Sequence, residues 1–168
     1  MSPRVAFVSA EAIRPLRHLV LRTGLPFETT RYAEDNDPGV AHVAVFVEDA
    51  ATDEGIVSIA SGFPEPVRVL PDGSVLTALP KADRASAYRL RGMATHPDYR
   101  GHGLGRLAFE AVRQHAADAG AAVLWFNART GAQAFYERLG CLVASPVFDI
   151  EGIGPHVVMW CRTRGMDV

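Results

Sequence analysis

Three glycines, Gly101, Gly103 and Gly105, stand within five residues. They follow a stretch of strand character, Tyr88–Thr95, and open a run of helical periodicity. A strand, a glycine turn and a helix form an anion-binding arrangement. The first turn of a helix offers backbone N–H groups that lack intrahelical partners, at the positive end of the helix dipole. Glycine lets that backbone approach a phosphate with no Cβ in the way. Arg100 and Arg106 flank the turn and add positive charge. Spacing separates the ligand classes that use such turns. A dinucleotide fingerprint G-x-G-x-x-G begun at Gly101 requires glycine where Arg106 stands, and a P-loop requires Gly-Lys-Ser/Thr where the chain reads Gly105-Arg106-Leu107. The pattern left is R-x-x-G-x-G, met by Arg100, Gly103 and Gly105.

Other chemistries find less support. The G-x-S-x-G nucleophile turn of a serine hydrolase is absent. His96, Asp98 and His102 form a loop cluster without a recognised ligand spacing, so no metal is expected. Cys141 and Cys161 form no CxxC pair and read as two buried thiols of a reducing compartment. Tyr136 lies four residues after Ala132 and beside Phe135, the spacing of a core aromatic.

The elements that must position these residues follow from period and punctuation. Arg4–Val8 reads as a strand, and Ser9 as the cap of a helix carrying Ile13, Leu16, Leu19 and Val20, with Pro15 as its start or a kink and Gly24 as a stop. Thr29–Gly39 is polar and ends in a turn. His42–Val47 and Ile56–Ala60 read as strands around Asp53-Glu54-Gly55, and Glu65–Ala87 as a long surface loop. After the glycine turn, Leu104, Leu107, Ala108, Ala111, Val112 and His115 share one helix face, closed by Gly120. Val123–Phe126 is a buried strand. Thr130 reads as the cap of a second helix, which ends at Gly140. Leu142–Ile150 and His156–Arg162 complete the chain as two strands. The order βα, ββ, βαβα, ββ predicts a mixed α/β sheet in a single domain over 1–168.

With 168 residues, 48% hydrophobic and 21% charged, the composition is that of a soluble globular protein with a real core. A net charge of −2 argues against broad binding to nucleic acid or an anionic membrane. Neither a membrane span nor a signal peptide is visible, which with the two cysteines points to the cytoplasm.

The segment Gly92-Met93-Ala94-Thr95-His96-Pro97-Asp98-Tyr99-Arg100-Gly101-His102-Gly103-Leu104-Gly105 resembles the central motif of the GCN5-related N-acetyltransferase (GNAT) superfamily. Asn127-Ala128-Arg129 and Ala134-Phe135-Tyr136-Glu137-Arg138-Leu139-Gly140-Cys141 resemble that family's second motif, in the expected order. The resemblance is strong from Tyr88 to Cys141 and diffuse before it.

It implies a GNAT-type acyl-CoA N-acyltransferase fold, a mostly antiparallel sheet with two splayed central parallel strands flanked by helices. Acetyl-CoA is the implied cosubstrate. Backbone groups of Met93, Ala94 and Thr95 would pair with its pantetheine arm. The run Arg100, Gly101, His102, Gly103, Leu104, Gly105 and Arg106 would take its pyrophosphate, with Asn127 as a further cofactor contact. The implied reaction is direct attack of a primary amine, on a small molecule or a peptide, on the thioester. Tyr136 matches the family's tyrosine, the general acid for the leaving thiolate. The base is open. Many members place a carboxylate on the strand before the turn, and Tyr88–Met93 has none. His156 and Glu65 are the candidates. Two further departures are Arg129, where asparagine is common, and Cys141, where phenylalanine is usual. Homodimers are common in the family. The rival reading on the same fold is a non-catalytic acyl-CoA-binding or sensor domain.

Overall fold

The computed structural model describes residues 2–68 and 79–165. Residues 69–78 of the long loop expected over Glu65–Ala87 therefore lie outside the described residues. The elements in chain order are β1 (Pro3–Val8), α1 (Ala10–Leu21), β2 (Ala41–Val47), β3 (Ile56–Pro64), β4 (Ala87–Thr95), α2 (Leu104–Asp118), β5 (Val123–Arg129), α3 (Gln133–Glu137), β6 (Leu142–Val143), β7 (Phe148–Ile150) and β8 (Gly154–Arg162). This is the expected mixed α/β fold. Strand pairing is mostly antiparallel, with one parallel pair, β4 and β5. The chain divides into two compact units, Met1–Phe63 with Leu90–His115 and Pro64–Arg89 with Ala116–Val168.

In the first unit β1 pairs with β2 along its whole length, and β2 with β3 through a register shift at Val45/Phe46. Ser9 caps α1 as expected, its Oγ accepting the Ala12 N–H at 3.3 Å. Pro15 does not start the helix. Ala10 does, and the helix passes through the proline to Leu21. A proline inside a helix costs about 3 kcal/mol. The apolar face offsets this. Ile13 and Leu16 pack with Ala44, Ile56, Ile59 and Ala94, and each such side chain contributes about 1.5–3 kcal/mol on burial.

The same helix face carries a charge. Arg17 is fully buried. Its Nη1 and Nη2 donate to the two Asp35 carboxylate oxygens at 2.9 and 3.2 Å. Nη1 also donates to the Thr30 carbonyl at 2.6 Å, and Nη2 to Ser61 Oγ at 3.2 Å. The Tyr32 ring lies 3.9 Å from the guanidinium carbon. Buried His42 completes the cluster, with Nδ1 2.8 Å from Ser61 Oγ and Nε2 2.8 Å from the Asp35 carbonyl. Burial holds the His42 imidazole below its ordinary pKa, so the ring is neutral.

After the glycine turn, α2 forms as read, but its buried face is shifted. Leu104, Ala108, Phe109 and Val112 are buried and Leu107 is exposed. The buried stripe runs through Phe109 and Ala116, and since Leu107 lies nearly opposite Phe109 around the helix, burying the aromatic turns Leu107 to the surface.

In the second unit a parallel ladder of three rungs joins Ala87, Tyr88 and Arg89 to Val123, Leu124 and Trp125. β5 pairs antiparallel with β8 over seven residues, Val123↔Arg162 to Arg129↔His156. The single strand expected over Leu142–Ile150 is two strands, β6 and β7, both on β8. Pro146 has no N–H to give the ladder. Ser145 bridges the gap instead, its Oγ accepting the Val158 N–H at 2.8 Å. Ala87, Val123, Trp125, Ala144, Val158, Trp160 and Leu79 form the core here. Thr130 does not cap a helix. It opens a 3-10 turn, Thr130–Ala132, that leads into α3.

Removing one partner of a buried ion pair strands the other charge. Asp35→Ala should therefore lower stability by about 3–5 kcal/mol in urea denaturation. Asp83→Ala, which breaks the partly exposed Arg162–Asp83 pair of 3.1 Å, should cost under about 1 kcal/mol.

Candidate active site

In the first unit β4 ends at Thr95 and the chain turns through Pro97–Tyr99, a 3-10 turn capped by His96, whose Nδ1 accepts the Asp98 N–H at 3.3 Å. The turn is tied down from several sides. The His96 N–H donates to the Val57 carbonyl at 2.8 Å, and the Tyr99 hydroxyl accepts the Ala51 N–H at 3.2 Å. Ser58 Oγ donates to the Ala94 carbonyl at 3.2 Å and lies 2.8 Å from Thr95 Oγ1. Arg100 Nε donates to the Thr95 carbonyl at 3.3 Å. His102 Nδ1 donates to the Arg100 carbonyl at 2.9 Å.

Gly101 and Gly103 have φ of +80 and +75, a conformation that L side chains rarely adopt. No atom lies within 4 Å of a Cβ built at either position. The first intrahelical bond of α2 runs from the Leu107 N–H to the Gly103 carbonyl at 3.2 Å. The N–H groups of Leu104, Gly105 and Arg106 therefore precede any helical partner. The first turn holds no acidic residue. An open glycine cradle with unopposed N–H groups fits a diphosphate such as that of CoA.

The second unit holds Asn127, Tyr136, His156 and Glu65. Asn127 is on β5. α3 ends in a left-handed glycine, Gly140, with φ of +83. The Cys141 N–H donates to the Tyr136 carbonyl at 3.1 Å and the Gly140 N–H to the Glu137 carbonyl at 3.0 Å. This paired closure fixes the helix end that carries Tyr136. The Tyr136 ring packs 4.4 Å from the Phe126 ring and 5.0 Å from the Phe135 ring. Burial, with a smaller contribution from Cys141, pushes the phenol well above its ordinary pKa. A phenol is protonated at neutral pH in any case, and the upward shift makes this one hold its proton more tightly than an exposed tyrosine.

The two base candidates differ in their surroundings. His156, on β8, is 5% exposed. Its Nδ1 lies 2.7 Å from the Gly154 carbonyl. A carbonyl only accepts, so Nδ1 carries a proton, and in the neutral tautomer of the ring the lone pair is on Nε2. Glu65 sits just past β3, with its carboxylate 3.3 Å from Arg89 and 3.5 Å from Arg68. Its carbonyl accepts the Trp125 Nε1–H at 2.9 Å, and the Arg89 guanidinium lies 4.9 Å from the Trp125 ring. Two arginines thus share that carboxylate as ion-pair partners. Both thiols, Cys141 and Cys161, are buried and unbridged.

Sequence reasoning missed the Arg17–Asp35–Ser61–His42 cluster. One signal was present: Arg17 shares the apolar face of α1 with Ile13, Leu16 and Val20, and a charge there needs a buried partner.

The Acetyltransferase (GNAT) family profile matches residues 12–141, a span that runs across both units. YitI of Bacillus subtilis, an uncharacterised N-acetyltransferase, is 35% identical over 160 residues, covering 95% of this chain and 96% of its own length. Among solved structures, the ribosomal-protein-S18-alanine N-acetyltransferase of Escherichia coli aligns with a TM-score of 0.66 at 17% identity, covering 99% of both chains. yncA of Salmonella typhimurium, solved with its cofactor acetyl-CoA, aligns with a TM-score of 0.66 at 14% identity, covering 100% of this chain and 98% of its own. The latter two share the fold.

The raised Tyr136 pKa sets a stability limb at high pH. Below about pH 10 both folded and unfolded chains hold the phenol proton and stability is flat. Above it the unfolded chain releases the proton and the folded chain does not, so stability falls as pH rises. Urea denaturation from neutral to alkaline pH should show a slope shallower in Tyr136→Phe than in the parent by up to about 1.4 kcal/mol per pH unit. Equal slopes would remove the argument for a desolvated phenol.

Proposed function

This chain belongs to the GNAT acetyltransferase family and is an acetyl-CoA-dependent acetyltransferase, and we propose that it moves the acetyl group onto a primary amine by direct attack. The observation that supports this reading is the placement of Tyr136, a phenol at the family's acid position on a helix end closed by the Cys141 N–H on its own carbonyl. In this reading the N–H groups from Gly101 to Arg106 hold the pyrophosphate, with Arg100 and His102 in the same turn. Backbone groups of Met93, Ala94 and Thr95 pair with the pantetheine arm, and Asn127 adds a contact.

The acceptor amine must lose a proton, because a lysine-like amine has a pKa of about 10.4. His156 takes that proton at Nε2, the ring nitrogen left basic by the bond from Nδ1 to Gly154. The amine nitrogen bonds to the thioester carbon, and the C–S bond breaks as the acyl group transfers. A backbone N–H of Met93 or Ala94 stabilises the oxyanion between these events. Tyr136 then protonates the leaving thiolate. Glu65 serves as an ion-paired structural group, its carboxylate engaged by Arg68 and Arg89. The acceptor class is a primary amine on a small molecule or a peptide. No helix of the described residues is long and apolar enough to cross a membrane, and the two buried thiols fit a reducing cytoplasm.

Acetyl-CoA at about a hundredfold excess over its Kd should stabilise the parent by about 2.7 kcal/mol in thermal unfolding, with no shift from ATP or NAD. In a panel of primary amines read by thiol release, His156→Gln should lower kcat/KM by about 10²–10⁴-fold near neutral pH and Glu65→Gln by far less. A parent that binds acetyl-CoA, turns over no amine, and binds it unchanged as Tyr136→Phe would instead be a sensor domain.

A further inference from the structure

Arg17 and Gly92 meet beneath β4. Gly92 has a φ of +61, and a Cβ built there would lie 3.2 Å from Arg17 Nε, 3.5 Å from its Nη2 and 3.5 Å from the Tyr32 ring. Any other L residue would be strained at that position by its own backbone and crowded by the guanidinium. The guanidinium has no room to retreat. Asp35 holds two of its nitrogens, Thr30 and Ser61 accept further N–H groups, and Tyr32 covers one face.

Arg17 Nε is buried with no hydrogen-bond partner among the described residues. An orphaned N–H is unfavourable. Hydrogen bonding therefore accounts for the distal nitrogens and leaves the edge facing Gly92 unexplained. What that edge touches is the one left-handed residue of β4. A single left-handed residue in a strand re-aims the backbone that follows it. Here the following residues are Met93 and Ala94.

We propose that Arg17 is a positioning residue for acetyl-CoA: its guanidinium, locked by Asp35, props β4 into the left-handed turn at Gly92 and so sets the aim of the Met93 and Ala94 backbone. This rests on the reading above of Met93–Thr95 as donor contacts. It assigns the buried ion pair a part in donor binding as well as in stability.

The test is a double-substitution cycle read by titration calorimetry with acetyl-CoA, on the folded full chain, which needs no acceptor. Arg17→Lys keeps the charge for Asp35 and removes the flat edge against Gly92. Gly92→Ala keeps the ion pair and denies the turn. Each should weaken acetyl-CoA binding by about tenfold, and the double substitution should be no weaker than the worse single one, because the two residues act as one unit. Thermal midpoints should fall in all variants and are not the readout. Affinities within about twofold of the parent in the single variants, or a double variant weakened by the product of the two, would overturn the proposal. Should Arg17→Lys fail to fold, Tyr32→Leu, at a half-buried position whose ring covers Arg17 and also touches Arg91 and Phe63, takes its place in the same cycle and is read the same way. A parent that binds no acetyl-CoA defeats the underlying donor reading and this inference with it. A parent that binds, with variants that match it, defeats this inference alone.

Discussion

A full positive charge at Arg17, out of contact with water, is the constraint around which the first unit is arranged. Taking a guanidinium from water into a protein interior costs several kcal/mol unless its donors and its charge are met there. The chain meets the charge and the two distal nitrogens, and leaves Nε without a partner among the described residues. α1 supplies the arginine, the segment after it supplies Thr30 and Asp35, β3 supplies Ser61, and Tyr32 supplies a ring face. Apolar contacts such as Ile13 against Ile59 tolerate small slips. A forked ion pair does not, because both N–H vectors must reach both carboxylate oxygens. The neutral state of His42 belongs to the same arrangement. Burial is the main reason that ring stays uncharged, and the nearby Arg17 acts in the same direction. The pocket thus holds one positive and one negative charge.

That constraint was the least legible part of the sequence, and the reason is separation. Arg17 meets Asp35 across 18 positions and Ser61 across 44. The local pattern sets it on the apolar face of α1 with Ile13, Leu16 and Val20, but names no partner for it. Asp35 lies in a polar stretch whose composition reads as a turn, which it also is. The elements read correctly have local causes. Ser9 caps α1 through its own nearest N–H groups, and the glycine turn opens α2 because strand, glycines and periodicity abut. The misreadings involve competition that local pattern cannot weigh. Leu107 and Phe109 lie on nearly opposite sides of α2, and only the packing decides which side is buried. Leu142–Ile150 keeps strand character throughout, yet Pro146 splits it. Thr130 is a good capping residue that the chain spends in a 3-10 turn instead.

The candidate site divides along the same line. The shape of the turn from Arg100 to Gly105 was readable because left-handed φ and the absence of Cβ atoms are both features that glycine announces. The open space at Gly101 and Gly103 agrees with that reading. The fixings that hold the turn, Ser58 on Ala94 and Tyr99 on Ala51, come from other strands and loops and left no signature. The choice between His156 and Glu65 was likewise unreadable, since it turns on which neighbours each has found. One ring nitrogen of His156 is pinned to a carbonyl, whereas Glu65 is held between arginines.

Tyr136 shows why a core reading and a catalytic reading of one residue need not compete. Packing against Phe126 and Phe135 is what a structural aromatic does. The same packing removes water from the phenol, and loss of water penalises the phenolate, which raises the pKa. A better-packed tyrosine at this position is therefore a more firmly protonated one. Cys141, where the family more often has phenylalanine, pushes in the same direction as the burial. The helix end is closed by the Cys141 N–H on the Tyr136 carbonyl, so the residue that tunes the phenol also fixes the backbone beneath it. A phenol held this way reloads its proton easily after giving it up, because its anion is the unfavourable state. The contact that packs the ring thus also governs the protonation of its hydroxyl, and a group that takes this proton must be the stronger base.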